Sequence, residues 1–476
     1  MGDTVALSLL NKPLHPAQIF RLVVLGLVVG FVVGTFMYLP WSAALAAGIA
    51  TAGLIYFQPS LRTIGLVVVG SMLALARASV VPVSPSATAF LGPQHFEATV
   101  VAEPNVRGTV AHYIVETPMP GLGPVLLTAQ PYPRFAYGQR LEVSCKKVEL
   151  TDFSGFTAQG IWRQCAFPEL RAVGLPAWSL RGTLLGWRSQ LGNHIKGVMA
   201  EPYASLVTGM LWGDDSGLPT TLTQAFRTTG TSHLLAVSGY NVMVLSEILF
   251  TVLIALGLWR RQASVVVIGV VVLFALFTGA EPAVVRASIM ASLLVLARLL
   301  ARRPDRVNIL FGTAAAMLLF SPALITSLGF QLSFAAMAGL MFLSPVFEKT
   351  FAVLPNIWGL RQSVAQTMAA TVTTLPIILL RLDQLSLVSP IANVLVGPVV
   401  VLVFVFGLPL VLLSSFGWLA SPFVWLLSAV LAYVVLVIES LAVLPWASLN
   451  GVWVLVLTAA LYGLGAWWSI KKHTLV

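Results

Sequence analysis

Charged residues are scarce in this chain, at 9% of its 476 positions, against about 25% in soluble domains. Hydrophobic residues make up 58%. So little charge cannot solvate a water-soluble protein of this length, so much of the surface must face lipid. Cysteine is nearly missing: only Cys145 and Cys165 occur, both in the one stretch that does not look membranous. No Gly-x-x-x-x-Gly-Lys-(Ser/Thr) run exists, which excludes a P-loop and with it nucleotide-driven work by this chain alone. The one surplus is positive, a formal net charge of +10. In a membrane protein that surplus collects in cytoplasmic loops, a reading favoured here over a nucleic-acid partner.

What is present begins with three apolar segments, 20–39, 41–57 and 63–80, each near the ~20 residues that cross a bilayer. The first is too long for a signal-peptide core and reads as an uncleaved helix. Lys12, Arg21 and Arg62 place the N-terminus in the cytoplasm by the positive-inside rule, so three crossings leave the next region outside.

That region, 84–173, is polar and rich in Pro and Gly. Alternating runs at His95–Val101, His112–Glu116, Val125–Thr128 and Arg140–Leu150 predict strands, separated by turn signals at 103–108 and 118–124. About five short strands fit a small closed or partly open barrel, of which the OB type is the commonest candidate. Cys145 and Cys165 lie near the two ends of its last strand region. A thin-cored extracytoplasmic domain gains from a cross-link, so the pattern favours a disulfide over two separate thiols.

Residues 174–231 follow, where Trp178, Leu184, Leu185, Trp187 and Leu191 oppose Arg181, Arg188 and Lys196, as in a helix lying in the membrane interface. The stretch Leu206–Trp212 reads as a re-entrant piece. From 232 to 476 helix-length apolar segments fill the chain: 234–259, 263–280, 284–300, 309–320, 324–343, 366–380, 391–413, 423–444 and 452–468. Basic residues at alternate connections give one consistent topology: a polytopic α-helical membrane protein of about twelve spans, with both termini cytoplasmic and one small extracytoplasmic OB-like β-barrel.

Polar residues within these spans concentrate in four stretches, 226–242, 278–287, 329–334 and 389–393, each setting Gly or Pro beside hydrogen-bonding side chains. Irregular backbone at membrane depth persists only where protein or water satisfies it. Intramembrane Glu247, Glu281, Arg286 and Gln331 are costly unless they face a bundle interior or a wet cavity.

These stretches resemble the membrane domain of the ComEC/Rec2 family, the inner-membrane DNA channel of natural transformation. The most distinctive run is His233-Leu-Leu-Ala-Val-Ser-Gly239, joined by Thr278-Gly279 with Arg286-Ala287, Gly329-Phe-Gln-Leu-Ser-Phe334, and Pro390 with Asn393. The family also places an OB-like domain between early helices and the competence domain. The resemblance implies a channel or permease for single-stranded DNA at the bacterial cytoplasmic membrane, without cofactor or metal. Its implied partners are membrane lipid, a cytoplasmic translocase or helicase, an extracytoplasmic DNA receptor and a separate nuclease. The implied path residues are His233, Ser238, Gly239, Asn241, Arg286, Gln331, Ser333 and Asn393. Two departures stand out. Asn241 occupies a position where many members have His, and no His-x-His-x-Asp-His cluster of a metallo-β-lactamase-like domain is present.

The competing readings are concrete. His233 and Ser238 form either interhelical bonds or pore contacts; an intramembrane hydrolase would need an orienting carboxylate that Glu247 is too distant to supply, so no enzyme activity is expected. Arg286 either meets phosphates or pairs with Glu281 or Glu247. Gln331, Ser333 and Asn393 suit loose contact with a polyanion, or act as interhelical glue. On the β domain, Arg140, Lys146 and Lys147 with Tyr132, Phe135 and Tyr137 are candidates for one strand-binding face, although seven basic residues there are matched by seven acidic ones. The alternative function is transport of another polar or anionic solute.

Overall fold

The computed structural model describes residues 94–450 apart from 108–109, 120–122, 151–160, 162, 175–177, 354, 356–358 and 382–383, together with Gln18, Arg21, Val23, Val24, Gly26, Leu27, Val28, Ser71 and Ala74. The expected spans at 20–39, 41–57 and 63–80 fall almost wholly, and that at 452–468 wholly, outside the described residues. The chain divides into two compact units. One comprises residues 1–104, 109–177 and 288–330, the other residues 105–108, 178–287 and 331–476.

The β domain consists of short strands: β1 (Gln94–Val100), β2 (Asn105–Arg107), β3 (Val110–Glu116), β4 (Pro124–Ala129), β5 (Arg140–Cys145), β6 (Val148–Leu150), β7 (Arg163–Ala166) and β8 (Glu169–Ala172). Strict alternation buries Phe96, Ala98 and Val100 on β1, Ala111, Tyr113 and Val115 on β3, and Leu141, Val143 and Cys145 on β5. Seven strands hydrogen-bond in the order β6–β7–β4–β3–β1–β5–β8, with β4 and β7 parallel. Among the described residues the sheet is open, with β6 and β8 at its edges, which corrects the expectation of about five strands in a small closed or partly open barrel. The run expected as one strand over 140–150 breaks at the exposed pair Lys146-Lys147. Its first half pairs with β1 and β8 and its second with β7. Cys145, at the end of β5, is disulfide-bonded to Cys165 in β7. Along the hydrogen-bonded path those strands are separated by β4, β3 and β1. The sheet therefore curls, and its curl is held by the disulfide and the Lys146-Lys147 bend where no ladder joins β5 to β7.

In the same unit, α7 (Arg306–Phe320) is capped by Asp305, whose Oδ1 accepts from the N–H groups of Val307 (3.0 Å) and Asn308 (3.3 Å). Arg21 Nη2 pairs with Asp305 Oδ2 at 2.5 Å, and its Nε donates to Asn308 Oδ1 at 2.7 Å. Partial burial raises the Asp305 pKa, but the Arg21 hydrogen bond and charge and the two backbone donors outweigh it and hold the carboxyl below its ordinary value.

The remaining helices are α1 (Leu180–Val198), α2 (Tyr203–Trp212), α3 (Thr220–Thr228), α4 (Gly239–Ala255), α5 (Arg260–Phe277), α6 (Pro282–Leu299), α8 (Leu328–Phe342), α9 (Ser344–Thr350), α10 (Leu360–Arg381), α11 (Ser389–Leu413) and α12 (Ser421–Ala442). Among the described residues five helical segments are long and apolar enough to cross a membrane: 232–255, α5, α6, 389–419 and α12. A sixth arises if α8 and α9, bent by 50°, form one span. The expected count of twelve stands at five or six among those residues. α1 begins at Ser179, which accepts from Gly182 N–H at 3.0 Å. It buries Leu184, Leu185 and Ile195 but also Arg188, while Trp187 stays exposed, so the division of apolar from basic residues read from sequence holds only in part.

The core of the second unit forms around α2, in which every residue from Ala204 to Trp212 is buried. Against it lie Val396, Val400, Val403 and Phe404 of α11, and Leu427, Leu431, Val434 and Ile438 of α12, the latter at the i, i+4, i+7, i+11 spacing of one helix face.

Candidate functional site

The second unit holds the 226–242, 278–287 and 389–393 stretches and residues 331–334 of the 329–334 stretch, and links them by contacts. α3 ends in a pair of buried threonines: Thr229 Oγ1 donates to the Ala225 carbonyl (2.9 Å) and lies 2.8 Å from Thr231 Oγ1, while Thr231 N–H donates to the Phe226 carbonyl (2.9 Å). Gly230 between them has φ +70°, and a Cβ there would come within 2.9 Å of the Cβ atoms of both Ser386 and Ser389. Only glycine meets both demands at this close approach. The 226–242 stretch is thereby seated on the start of α11. A methyl group at Gly239 would lie 2.7 Å from Arg286 Nη2 and 3.3 Å from Ala287 Cβ, so the same stretch meets α6. Arg286 then sits over the Phe334 ring, 5.8 Å from its centroid, which joins α8. Two of these contacts join residues 47 and 48 apart in sequence, and the third joins residues at least 156 apart.

Local sequence explains each break. His233 lies in a one-turn 3₁₀ segment, Ser232–Leu234, with Nδ1 3.2 Å from the Gly230 carbonyl and its ring exposed. Ser238 is the N-cap of α4: its Oγ donates to Asn241 Oδ1 (3.0 Å) and accepts from Asn241 N–H (3.4 Å). Asn241, 2% exposed, donates from Nδ2 to the Met210 carbonyl at 2.8 Å. That bond satisfies a carbonyl at the end of α2, where no further helical turn follows. Ser238 and His233 thus each bond elsewhere, and the serine's hydroxyl is committed to capping.

Between α5 and α6 the buried Thr278 donates to the Ala275 carbonyl (3.1 Å), and Gly279 (φ +85°) and Ala280 (φ +60°) turn the chain. A left-handed alanine costs about 1 kcal/mol or more. The resulting turn places Arg181 Nη2 3.3 Å from the Gly279 carbonyl, to which it donates. Arg286, in the second turn of α6, is only 5% exposed. Its Nε and Nη1 have no hydrogen-bond acceptor, so pairing with Glu281 or Glu247 is not what holds it. The face of Phe334 offers it partial compensation. Gln331 and Ser333 are half-buried on α8, and Asn393 on α11 donates from Nδ2 to Ser389 Oγ at 3.2 Å.

Sequence reasoning did not single out Phe334, Thr229, Thr231, Ser386 or the Met210 carbonyl. Phe334 stood inside a quoted run, but an aromatic in an apolar helix gives no local sign that it will underlie a cation.

On the β domain the candidate face is divided. Tyr132 is 71% exposed, with the Arg134 guanidinium 5.3 Å from its ring centroid. Phe135 is buried at 7% and packs edge-on against Tyr113, centroids 5.7 Å apart. Its ring therefore belongs to the domain core and is withdrawn from any stacking surface. Arg140 and Lys146 are exposed, Tyr137 is half-buried, and Lys147 pairs with Glu149 at 2.8 Å.

Residues 210–473 match the family model described as Competence protein. The chain is 28% identical over 215 residues, 45% of its length, to the ComE operon protein 3 of Bacillus subtilis (strain 168), covering 27% of that protein. It is 28% identical over 237 residues, 47% of its length, to the uncharacterized protein YcaI of Escherichia coli (strain K12), covering 30% of it. The chain thus spans less than a third of either relative it matches. No solved structure matches significantly.

Proposed function

Because the chain belongs to the competence protein family, we propose that it carries single-stranded DNA across the bacterial cytoplasmic membrane during natural transformation, as a channel or permease. The observation that carries this reading is the run of contacts within one unit by which Gly230 meets Ser389, Gly239 meets Arg286 and Arg286 meets Phe334, linking residues of the 226–242, 278–287, 329–334 and 389–393 stretches. A strand bears one phosphate charge per nucleotide and cannot cross bare hydrocarbon. It needs donors and cations along a route that excludes lipid. His233, Ser238, Asn241, Arg286, Gln331, Ser333 and Asn393 supply that inventory, with weak neutral donors outnumbering the single buried cation, as conduction requires. The chain performs no covalent chemistry in this scheme.

The disulfide supports an extracytoplasmic β domain, because Cys145–Cys165 persists in an oxidising compartment and not in a reducing cytoplasm. Cytoplasmic termini follow from the basic loops. A translocase inside, a receptor outside and a nuclease elsewhere complete the route. The test is internalisation of labelled DNA in a competent host whose copy of this gene is deleted and then restored. Uptake that fails on deletion and returns on restoration supports the reading; uptake that is unchanged by deletion refutes it.

A further inference from the structure

We propose that the N-terminus of α4 and Arg286 together form a binding station for one tetrahedral oxyanion, whose source in this protein's work is the phosphodiester group of a passing strand. The choice of source rests on the DNA reading above, whereas the oxyanion chemistry rests on geometry alone.

The first turn of α4 carries backbone N–H groups at Gly239 and Tyr240 that have no carbonyl to donate to. In a helix of seventeen residues they form the positive end of the dipole, a ready anion site when something else completes it. Arg286 completes it. The residue is 5% exposed, and two of its nitrogens, Nε and Nη1, lack any acceptor. Its guanidinium lies directly on the Cα face of Gly239, in the space where a side chain would stand 2.7 Å from Nη2. Two like-signed features thus abut each other, one a full charge and one a partial charge, and among the described residues no carboxylate bonds to the arginine. An unpaired buried cation beside a positive helix end is unfavourable in the empty protein. It becomes favourable when an anion presents several oxygens at once, since a guanidinium fork and two backbone donors match a phosphate's tetrahedral face. The absence of a side chain at position 239 is what lets the fork reach the helix end. Asn241 and Ser238 are bonded to each other and to Met210, so they hold the turn in place without competing for the ligand.

The experiment uses the full chain purified in nanodiscs, with thermal unfolding followed at constant ionic strength in chloride, inorganic phosphate or dimethyl phosphate. Binding of a short oligothymidylate is compared with its uncharged methylphosphonate counterpart. Both phosphates should raise the melting temperature of the wild-type protein, and Arg286→Met should weaken the phosphate affinity by about tenfold or more. In chloride alone Arg286→Met should melt no lower than wild type, because it removes an uncompensated buried charge. Should Arg286→Met fail to fold, Gly239→Ala serves instead: its methyl displaces the guanidinium and should abolish most of the phosphate-induced shift. A phosphate shift equal in wild type and both variants overturns the proposal, as does no shift in wild type. Protection by inorganic phosphate without protection by dimethyl phosphate, and without preference for the charged oligonucleotide, overturns the phosphodiester assignment and leaves a free-phosphate site. DNA uptake unaffected by gene deletion sinks the transport reading while leaving the phosphate shift untouched, so the two failures are separable.

Discussion

The disulfide of the β domain offers the most direct quantitative test of how that domain is held together. Cys145 and Cys165 close a loop of 20 residues. In the chain-entropy model that cross-link withdraws about 3 kcal/mol of freedom from the unfolded domain. The sheet has open edges, and among the described residues β5 otherwise reaches β7 only through the Lys146-Lys147 bend and β6, or the long way through β1, β3 and β4, so little else compensates for losing it. Amides of β1, β3 and β5 that exchange through opening of the whole sheet should therefore exchange about two orders of magnitude faster once the bond is gone. Hydrogen exchange read by mass spectrometry on the full chain in nanodiscs measures this, comparing oxidised protein, reduced protein and Cys145→Ala/Cys165→Ala. Reduction isolates the bond from the side chains, since both sulfurs remain. Helices α11 and α12 serve as internal reference and should not change. Exchange in β1, β3 and β5 that stays within about threefold of the oxidised protein would refute the view that the disulfide holds the curl.

Three further outcomes follow from individual contacts. Gly230→Ala forces a Cβ within 2.9 Å of Ser386 and Ser389 at φ +70°, and should cost about 2 kcal/mol or more, seen as a lower melting temperature of the full chain. Asn241→Leu leaves the fully buried Met210 carbonyl without its donor and should destabilise by about 1–3 kcal/mol, whereas Asn241→Gln should recover nothing unless its longer side chain reaches the same oxygen. Asp305 has a depressed pKa, so its pairing with Arg21 should contribute fully above its ordinary value of 3.8 and fade as pH falls through the lower folded value. The difference in melting temperature between wild type and Asp305→Asn should shrink accordingly on acidification. It should be small throughout, because the pair is 45% and 37% exposed; a difference that grows below pH 4 would contradict this.

How much of this was legible in the sequence differs from element to element. The long apolar helices announced themselves because span length and hydrophobic runs are local properties: the segment read at 391–413 is α11, Ser389–Leu413, and that at 423–444 is α12, Ser421–Ala442. Strands β1, β3 and β4 were likewise visible in their alternation. β7 and β8 were not, since each has four residues and β8 buries none of them, leaving no period to detect. Closure of a sheet is a property of pairing at a distance, which is why a barrel was expected where an open, cross-linked sheet is found. In the membrane unit the residue types of the site were readable but their partners were not. Arg286 rests on Gly239 and Phe334, each 47 or 48 residues away, and nothing near Arg286 distinguishes this from an ion pair. Phe135 and Tyr132 sit three apart in an aperiodic loop, one in the core and one in solvent, a division that only the path of the loop decides.

Helix α2 has ten residues and every one from Ala204 onward is enclosed, so at 1.5 Å per residue it reaches about 15 Å, half the thickness of a bilayer's hydrocarbon layer. The amide of Asn241 meets it near its C-terminal end, at the Met210 carbonyl. Where no water can take over a forsaken carbonyl, that joint can neither slide nor swivel without a penalty paid in full. The meeting of α2 with α4 is consequently a fixed bearing within its unit.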